Sequence, residues 1–99
     1  MAQFDVHRLV EGNGLVINCQ SELLDHLNTR LVVPLIPRAD APAPALRLNP
    51  IFVIDGDEYV MVTQFASAVR HRELGDAIAS LGAQGFEITG AVDVLLSGV

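Results

Sequence analysis

The stretch of the chain that decides the fold is residues 51–63, which read Ile51-Phe52-Val53-Ile54-Asp55-Gly56-Asp57-Glu58-Tyr59-Val60-Met61-Val62-Thr63. Two runs rich in β-branched and aromatic residues flank the dipeptide Asp55-Gly56, and such residues favour extended strands. Asp-Gly accommodates the positive φ angles of a tight two-residue turn at low cost. The stretch therefore predicts a β-hairpin, and with it an antiparallel sheet.

Further strands are expected upstream of this hairpin. Residues 4–9 partly alternate apolar and polar side chains, and residues 15–19 are apolar and β-branched. The connection at residues 11–14 contains two glycines and an asparagine, which predicts a second hairpin. Residues 31–36 predict another strand. Its internal Pro34 cannot donate to a ladder, so we expect Pro34 at a sheet edge or a bulge.

The chain after Thr63 has a different pattern. Residues 68–74 predict a short strand on a second small sheet, Gly75 is expected to end it, and residues 76–81 predict a helical turn. The apolar residues of the last segment recur at the spacing of one α-helix face. They are Ile88, Ala91, Val92, Leu95, Leu96 and Val99. Gly90 within this predicted helix would permit a neighbouring backbone to approach closely.

The predicted elements indicate a mainly β fold with a C-terminal α-helix, either a compact barrel or a bent sheet. A length of 99 residues suits one domain. The apolar face of the helix needs a cover. Either its own sheet covers it, or a second copy of the chain does so in a symmetric dimer.

The composition limits the classes of partner. All six basic residues are arginines, and the formal net charge is −6, which disfavours direct contact with nucleic acid because phosphates need clustered cations. No apolar run approaches the roughly 20 residues that span a bilayer, so no membrane association is expected. The N-terminus lacks a signal-peptide pattern, and a single cysteine fits a reducing cytoplasm.

Residues that carry chemistry are sparse. The three histidines lack metal-ligand spacing, and Asp55, Asp57 and Glu58 fit a turn better than a calcium loop. Cys19 belongs to a predicted core strand, although a catalytic thiol with His7 nearby stays open. The cluster Arg70-His71-Arg72 is able to hold an anion or to serve an RNA-cleaving site, but a solvated strand face is the favoured explanation. We expect no enzyme, no metal and no cofactor.

A series of short motifs extends along nearly the whole chain. It comprises Gln3-Phe4 with Val6, Gln-Ser-Glu-Leu-Leu-Asp at 20–25, Arg-Leu-Val-Val-Pro-Leu at 30–35, the stretch 49–59, and Thr63 followed by Ala66-Ser67. In this order and spacing the series resembles the CcdB family of toxins. An ordered, nearly end-to-end match is more specific than one short motif.

The resemblance implies an SH3-like barrel of the CcdB/MazF type, with a five-stranded antiparallel sheet, a small second sheet and the C-terminal helix. Residues 1–99 would form a single CcdB-like domain. Proteins of this family are homodimers that poison DNA gyrase by binding its A subunit, and a cognate antitoxin neutralises them. None of these actions requires catalysis or a cofactor, and all take place in the cytoplasm.

The resemblance also implies two surfaces. The residues implied in target binding are Leu23, Leu24, Asp93, Leu96, Ser97, Gly98 and Val99. The residues expected at the dimer interface lie on the apolar face of the predicted helix, and they are Ile88, Ala91, Val92 and Leu95.

The end of the chain departs from the family pattern. Ser97 stands where the family has a tryptophan that stacks into gyrase, Val99 replaces isoleucine, and Asp93 replaces asparagine. A tryptophan anchor typically contributes about 2–4 kcal/mol or more to an interface. We therefore expect the gyrase contact to be strongly weakened, whereas the antitoxin, which mostly reaches another surface, would still bind.

Two alternative functions stay open. One is a non-toxic homologue that binds an antitoxin and nothing else. The other is a MazF-type endoribonuclease on the same barrel, in which Arg70 and Thr63 would act on the phosphodiester. The acidic composition and the CcdB-like motifs favour the non-catalytic function over this second alternative.

Overall fold

The computed structural model describes residues 1–98 of the chain. In this part there are seven strands and one α-helix, and four short 3₁₀ turns lie between them. The strands and the helix are β1 (Asp5–Leu9), β2 (Leu15–Asn18), β3 (Thr29–Pro37), β4 (Ile51–Ile54), β5 (Asp57–Met61), β6 (Ser67–Arg70), β7 (Leu74–Ser80) and α1 (Gly85–Ser97). The mainly β fold with a C-terminal helix is confirmed.

Both predicted hairpins form. β4 and β5 pair in antiparallel fashion, and Asp55 and Gly56 between them have φ angles of 52° and 84°. Positive φ at both central positions is the geometry of a type I′ turn, which matches the twist of the flanking strands. β1 and β2 pair likewise, and the N–H of Leu9 donates to the carbonyl of Gly14 at 3.0 Å.

The strands join into one antiparallel sheet in the order β4-β5-β3-β2-β1-β7, and β6 pairs with β3. The implied division into a five-stranded sheet and a second small sheet is therefore not seen, because β6 and β7 are hydrogen-bonded to β3 and β1. Pro34 lies within β3, not at an edge. It falls between the segment of β3 that pairs with β6 and the segment that pairs with β5, where the ladder is interrupted.

The prediction of a helical turn at residues 76–81 is wrong, since most of this segment belongs to β7. Gly75 does not end a strand but lies inside β7. A Cβ at Gly75 would come within 2.7 Å of the carbonyl oxygen of Arg8 on β1, so only glycine permits this approach. The local sequence carries no sign of this contact, because β1 is far away along the chain.

The main core lies between the curled sheet and α1. It contains Val6, Leu15, Ile17, Val33, Leu35, Phe52, Ile54, Met61, Leu81, Ile88 and Ala91. Two buried polar side chains next to it, Asn49 and Thr63, are hydrogen-bonded, which offsets the cost of burying them. The Asn49 side chain donates to the carbonyl of Met61 at 3.1 Å, and the Thr63 hydroxyl donates to the carbonyl of Leu48 at 2.5 Å.

The same substitution at two glycines is expected to have opposite effects on stability. Gly56→Ala places a Cβ at positive φ and should lower the free energy of unfolding by about 1 kcal/mol. Gly90→Ala lies in α1 and should raise it by about 0.5–1 kcal/mol, because alanine has the higher helix propensity. Urea denaturation of both variants measures the two changes.

Gly56→Ala and Gly90→Ala are well matched because the added methyl group causes no steric clash at either position. In the described part of the chain, a Cβ added at Gly56 or Gly90 meets no atom within 4 Å. The expected close approach of a backbone to Gly90 is therefore not found there. A loss of stability in Gly90→Ala would contradict this account.

Candidate functional site

The end of α1 is exposed to solvent. Leu96 is 77% exposed, and Asp93, Ser97 and Gly98 are exposed as well. Gly98 has a φ of 78°, and its N–H donates to the carbonyl of Val94 at 2.8 Å, which ends the helix after Ser97. We call Asp93, Leu96, Ser97 and Gly98 the helix tip.

The side chain of Ser97 is engaged by its own helix. Its hydroxyl donates to the carbonyl of Asp93 at 2.7 Å, which satisfies one of the free carbonyls of the last turn. The carboxylate of Asp93 adds negative charge near the negative end of the helix dipole, and the last turn carries no basic residue. The helix tip is therefore acidic and offers Leu96 as its large apolar side chain.

Leu23 and Leu24 form a second exposed group, which we call the leucine turn. They lie on the 3₁₀ turn Glu22–Leu24 that follows β2, and they are 88% and 44% exposed. The hydroxyl oxygen of Ser21 accepts from the N–H of Leu23 at 3.2 Å and caps the turn. Polar groups thus hold the backbone while two apolar side chains face solvent.

The helix tip and the leucine turn lie on separate elements. Within residues 1–98, α1 packs on the sheet through Ile88 and Ala91 and lies next to the 3₁₀ turns Thr63–Phe65 and Gly82–Gln84, and the leucine turn is not among its main contacts. The structure therefore exposes both predicted target-binding groups without joining them through packing. Val99, the last predicted target-binding residue, lies outside the described residues.

Two of the residues predicted at a dimer interface, Ile88 and Ala91, lie in the interior of the chain itself. Both are 0% exposed and belong to the core of the same chain, so they have no surface to offer a second copy. Val92 is half-buried against that core, and Leu95 is 42% exposed. Of the four predicted residues, Val92 and Leu95 keep accessible surface.

The family of the chain follows from a comparison of its sequence with known families. The model of the family described as CcdB protein matches residues 3–98. The chain belongs to the CcdB family. No curated protein matches the sequence. The family thus agrees with the resemblance inferred from the ordered motifs.

Solved structures confirm the fold of this CcdB-family chain. The Mycobacterium tuberculosis toxin MazF-mt6 is similar with a TM-score of 0.75 and 15% identity, covering 93% of this chain and 95% of the other. An endoribonuclease in complex with its cognate antitoxin, from a mycobacterial species, has a TM-score of 0.77 and 16% identity, covering 97% and 94%. At such identities the likeness concerns the fold alone, a curled antiparallel sheet with a C-terminal helix.

The residue pair considered for RNA cleavage is not assembled at the surface of this CcdB-family chain. Thr63 is 0% exposed, and its hydroxyl is held by the carbonyl of Leu48. Arg70 is exposed at the end of β6, where Arg70, His71 and Arg72 line a surface hollow of about 480 Å³. Thr63 therefore has a structural role and does not present its hydroxyl to a phosphodiester.

The positions of the potential metal ligands and of Cys19 bear on two further kinds of chemistry. Among residues 1–98, no three histidine, cysteine or acidic side chains lie close enough together to hold a metal ion. None of the helices in that range is long and apolar enough to cross a membrane.

Cys19 follows β2 and is half-buried against the core, and burial raises the pKa of its thiol to about 12. His7 pairs with Val16 in the sheet and bonds through Nδ1 to the carbonyl of Gly75 at 2.9 Å.

A protonated Cys19 should react slowly with thiol reagents. Thiolate is the reactive form, and a pKa of about 12 against an ordinary 9.0 lowers the thiolate fraction roughly 10³-fold near neutral pH. Modification by iodoacetamide, followed by mass spectrometry, is expected to be slower by at least that factor in the folded protein than in urea. Equal rates would show an exposed, ionised thiol.

One surface feature was missed in the sequence pattern. Phe86 on the first turn of α1 is 98% exposed and Leu46 is 92% exposed, and both line an open groove of about 610 Å³. The only available signal was that Phe86 falls off the apolar helix face that begins at Ile88. Arg47 and Glu87 also line this groove.

Proposed function

We propose that this CcdB-family protein is the toxin of a type II toxin–antitoxin module and that it acts by binding the A subunit of DNA gyrase. A cognate antitoxin would neutralise it. The observation that carries the proposal is the family match over residues 3–98, combined with exposed apolar groups at the positions where the family contacts its target. Such a protein would act in the cytoplasm, where gyrase is found.

The character of the exposed groups supports binding to a protein. Leu23 and Leu96 present large apolar side chains to solvent, which suits contact with a macromolecule. The net charge of −6 disfavours the phosphate backbone of DNA as a direct partner. The proposed action is therefore non-enzymatic, and DNA is reached through gyrase.

The same surface explains why gyrase binding is expected to be weak. Ser97 uses its hydroxyl within α1 and supplies no aromatic ring. Loss of a tryptophan anchor of about 2–4 kcal/mol corresponds to a roughly 30- to 1,000-fold loss of affinity. The helix tip would still be the surface that contacts gyrase, but it would contribute much less binding free energy.

A homodimer is part of the proposal. Val92 and Leu95 keep accessible surface on α1, the 3₁₀ turn Thr63–Phe65 lies next to this helix, and Phe65 is 55% exposed. Apolar side chains on neighbouring elements of one face suit a self-complementary contact around a two-fold axis. Ile88 and Ala91 would support this face from inside the core.

Introduction of an indole ring at position 97 tests whether gyrase A is the target. Ser97→Trp is expected to raise the affinity for the isolated breakage-reunion domain of gyrase A by roughly 30- to 1,000-fold, because it restores a stacking anchor. Isothermal titration calorimetry with the wild-type and variant proteins measures the change. The variant loses the hydrogen bond from Ser97 to the carbonyl of Asp93, but this bond is exposed, so its loss should change the affinity little.

Thr89→Trp is the matched control. Thr89 is exposed on the same helix, eight residues or about 12 Å from Ser97 along the axis, and outside the helix tip. An equal gain from both variants would show that an indole adheres to gyrase without a specific site. No gain from Ser97→Trp would count against the helix tip as the gyrase contact.

Growth and RNA integrity in one culture separate the alternatives. Expression of Ser97→Trp without antitoxin is expected to stop growth while cellular RNA stays intact, and Arg70→Ala in that background should leave the arrest unchanged. Wild-type protein should slow growth less. RNA cleavage that is abolished by Arg70→Ala would instead establish an endoribonuclease, and unaffected growth with retained antitoxin binding would establish a non-toxic homologue.

A further inference from the structure

The leucine turn is joined to the start of β3 by the side chain of Gln20. Its Nε2 donates to the carbonyls of Leu24 at 3.2 Å and Thr29 at 3.0 Å. Its Oε1 accepts from the N–H of Leu31 at 3.0 Å. One amide thus uses both its donor and its acceptor to connect the two ends of the segment 20–31.

Arg30 holds the middle of the same segment from inside the protein. Arg30 is 3% exposed, and its guanidinium donates to the carbonyls of Leu27 at 2.6 Å, Thr29 at 2.8 Å and Asp25 at 3.0 Å. The carboxylate of Asp25 lies 3.7 Å from Nη2 and balances the charge. A planar guanidinium with five donors is suited to bridge several carbonyls at once.

Apolar packing cannot supply the order that these bonds provide. No residue of the turn Glu22–Leu24 is buried, and Leu23 is 88% exposed, so apolar contacts contribute little to holding the turn. Exposed segments with few buried contacts open easily unless polar groups tie them down. Between Gln20 and Arg30, the carbonyls of four residues from 24 to 29 receive side-chain donors, and they are Leu24, Asp25, Leu27 and Thr29.

We propose that Gln20 and Arg30 are positioning residues that hold Leu23 and Leu24 in the geometry that binds the target protein. Ordering a loop upon binding costs conformational entropy, and a turn that is ordered beforehand avoids that cost. The inference rests on the proposed function, because the position of the leucines matters to a target only if the target contacts them.

Gln20→Glu is the sharper of the two possible probes. A glutamate has the same shape and keeps an acceptor for the N–H of Leu31, but it cannot donate to the carbonyls of Leu24 and Thr29. Removal of Arg30 would instead break three hydrogen bonds to carbonyls and the ion pair with Asp25 at once, and it would replace a side chain that is 3% exposed, which risks the whole fold. Gln84→Glu makes the same chemical change away from the turn and is the matched control.

The first measurement is hydrogen exchange of the full-length protein. The N–H groups of Leu24, Asp25 and Leu27 bond within the segment, so their exchange reports its opening. Gln20→Glu is expected to speed exchange at these amides roughly 5- to 30-fold. Exchange in β2 and the midpoint of urea denaturation should stay close to wild type, and Gln84→Glu should not change the turn.

The second measurement is affinity for the gyrase A breakage-reunion domain, with Ser97→Trp as the parent so that binding is strong enough to follow. Gln20→Glu is expected to weaken binding roughly 5- to 30-fold. In a parent that also carries Leu23→Ala and Leu24→Ala, the same change should have no further effect, because Gln20 acts through those side chains.

Together the two measurements distinguish a failure of the positioning role of Gln20 from a failure of gyrase as the target. Unchanged exchange at Leu24, Asp25 and Leu27 would overturn the positioning role whatever the target is. Faster exchange with affinity losses that add to those of the leucine substitutions would also overturn it, because Gln20 would then act independently of them. Faster exchange, with no gyrase binding by any variant, would refute the proposed target and leave the ordering of the turn supported.

Discussion

The hydrogen bonds of β3 hold three other strands, and the rest of the structure depends on this sharing. β2 pairs along residues 32–35, while β6 pairs along 29–32 and β5 along 35–37. Since residues 32 and 35 have partners on both sides, β6 and β5 succeed one another on the side opposite β2. A sheet whose neighbours change along one strand bends and encloses a core.

This arrangement decides where the exposed groups lie. β2 and β3 are joined by the segment that carries the leucine turn, and the start of β3 supplies Thr29, Arg30 and Leu31 to the bonds that hold it. α1 covers the core with Ile88 and Ala91 and leaves its last turn in solvent. Buried residues that pack on the core and the exposed residues of the proposed contact thus lie on different parts of the same short helix.

Local signals accounted for the parts of the fold that depend on neighbouring residues. Asp55-Gly56 and the glycine-containing connection at 11–14 predicted both hairpins, because a tight turn is determined by residues within it. The spacing of apolar residues predicted α1. β7 was missed because its strand character comes from pairing with β1, and Gly75 is required by the carbonyl of Arg8, which is distant along the chain.

The sequence by itself determined the hairpins, the terminal helix, the acidic charge and the identity of the side chains at the helix tip, including Ser97. These are properties of single residues or of short spacings. Only the tertiary structure decided that Ile88 and Ala91 are enclosed while Leu95 and Leu96 are exposed, since one apolar stripe serves both positions. It also decided that Gln20 and Arg30 bind the carbonyls of the leucine turn, because such bonds depend on how the chain folds back between β2 and β3.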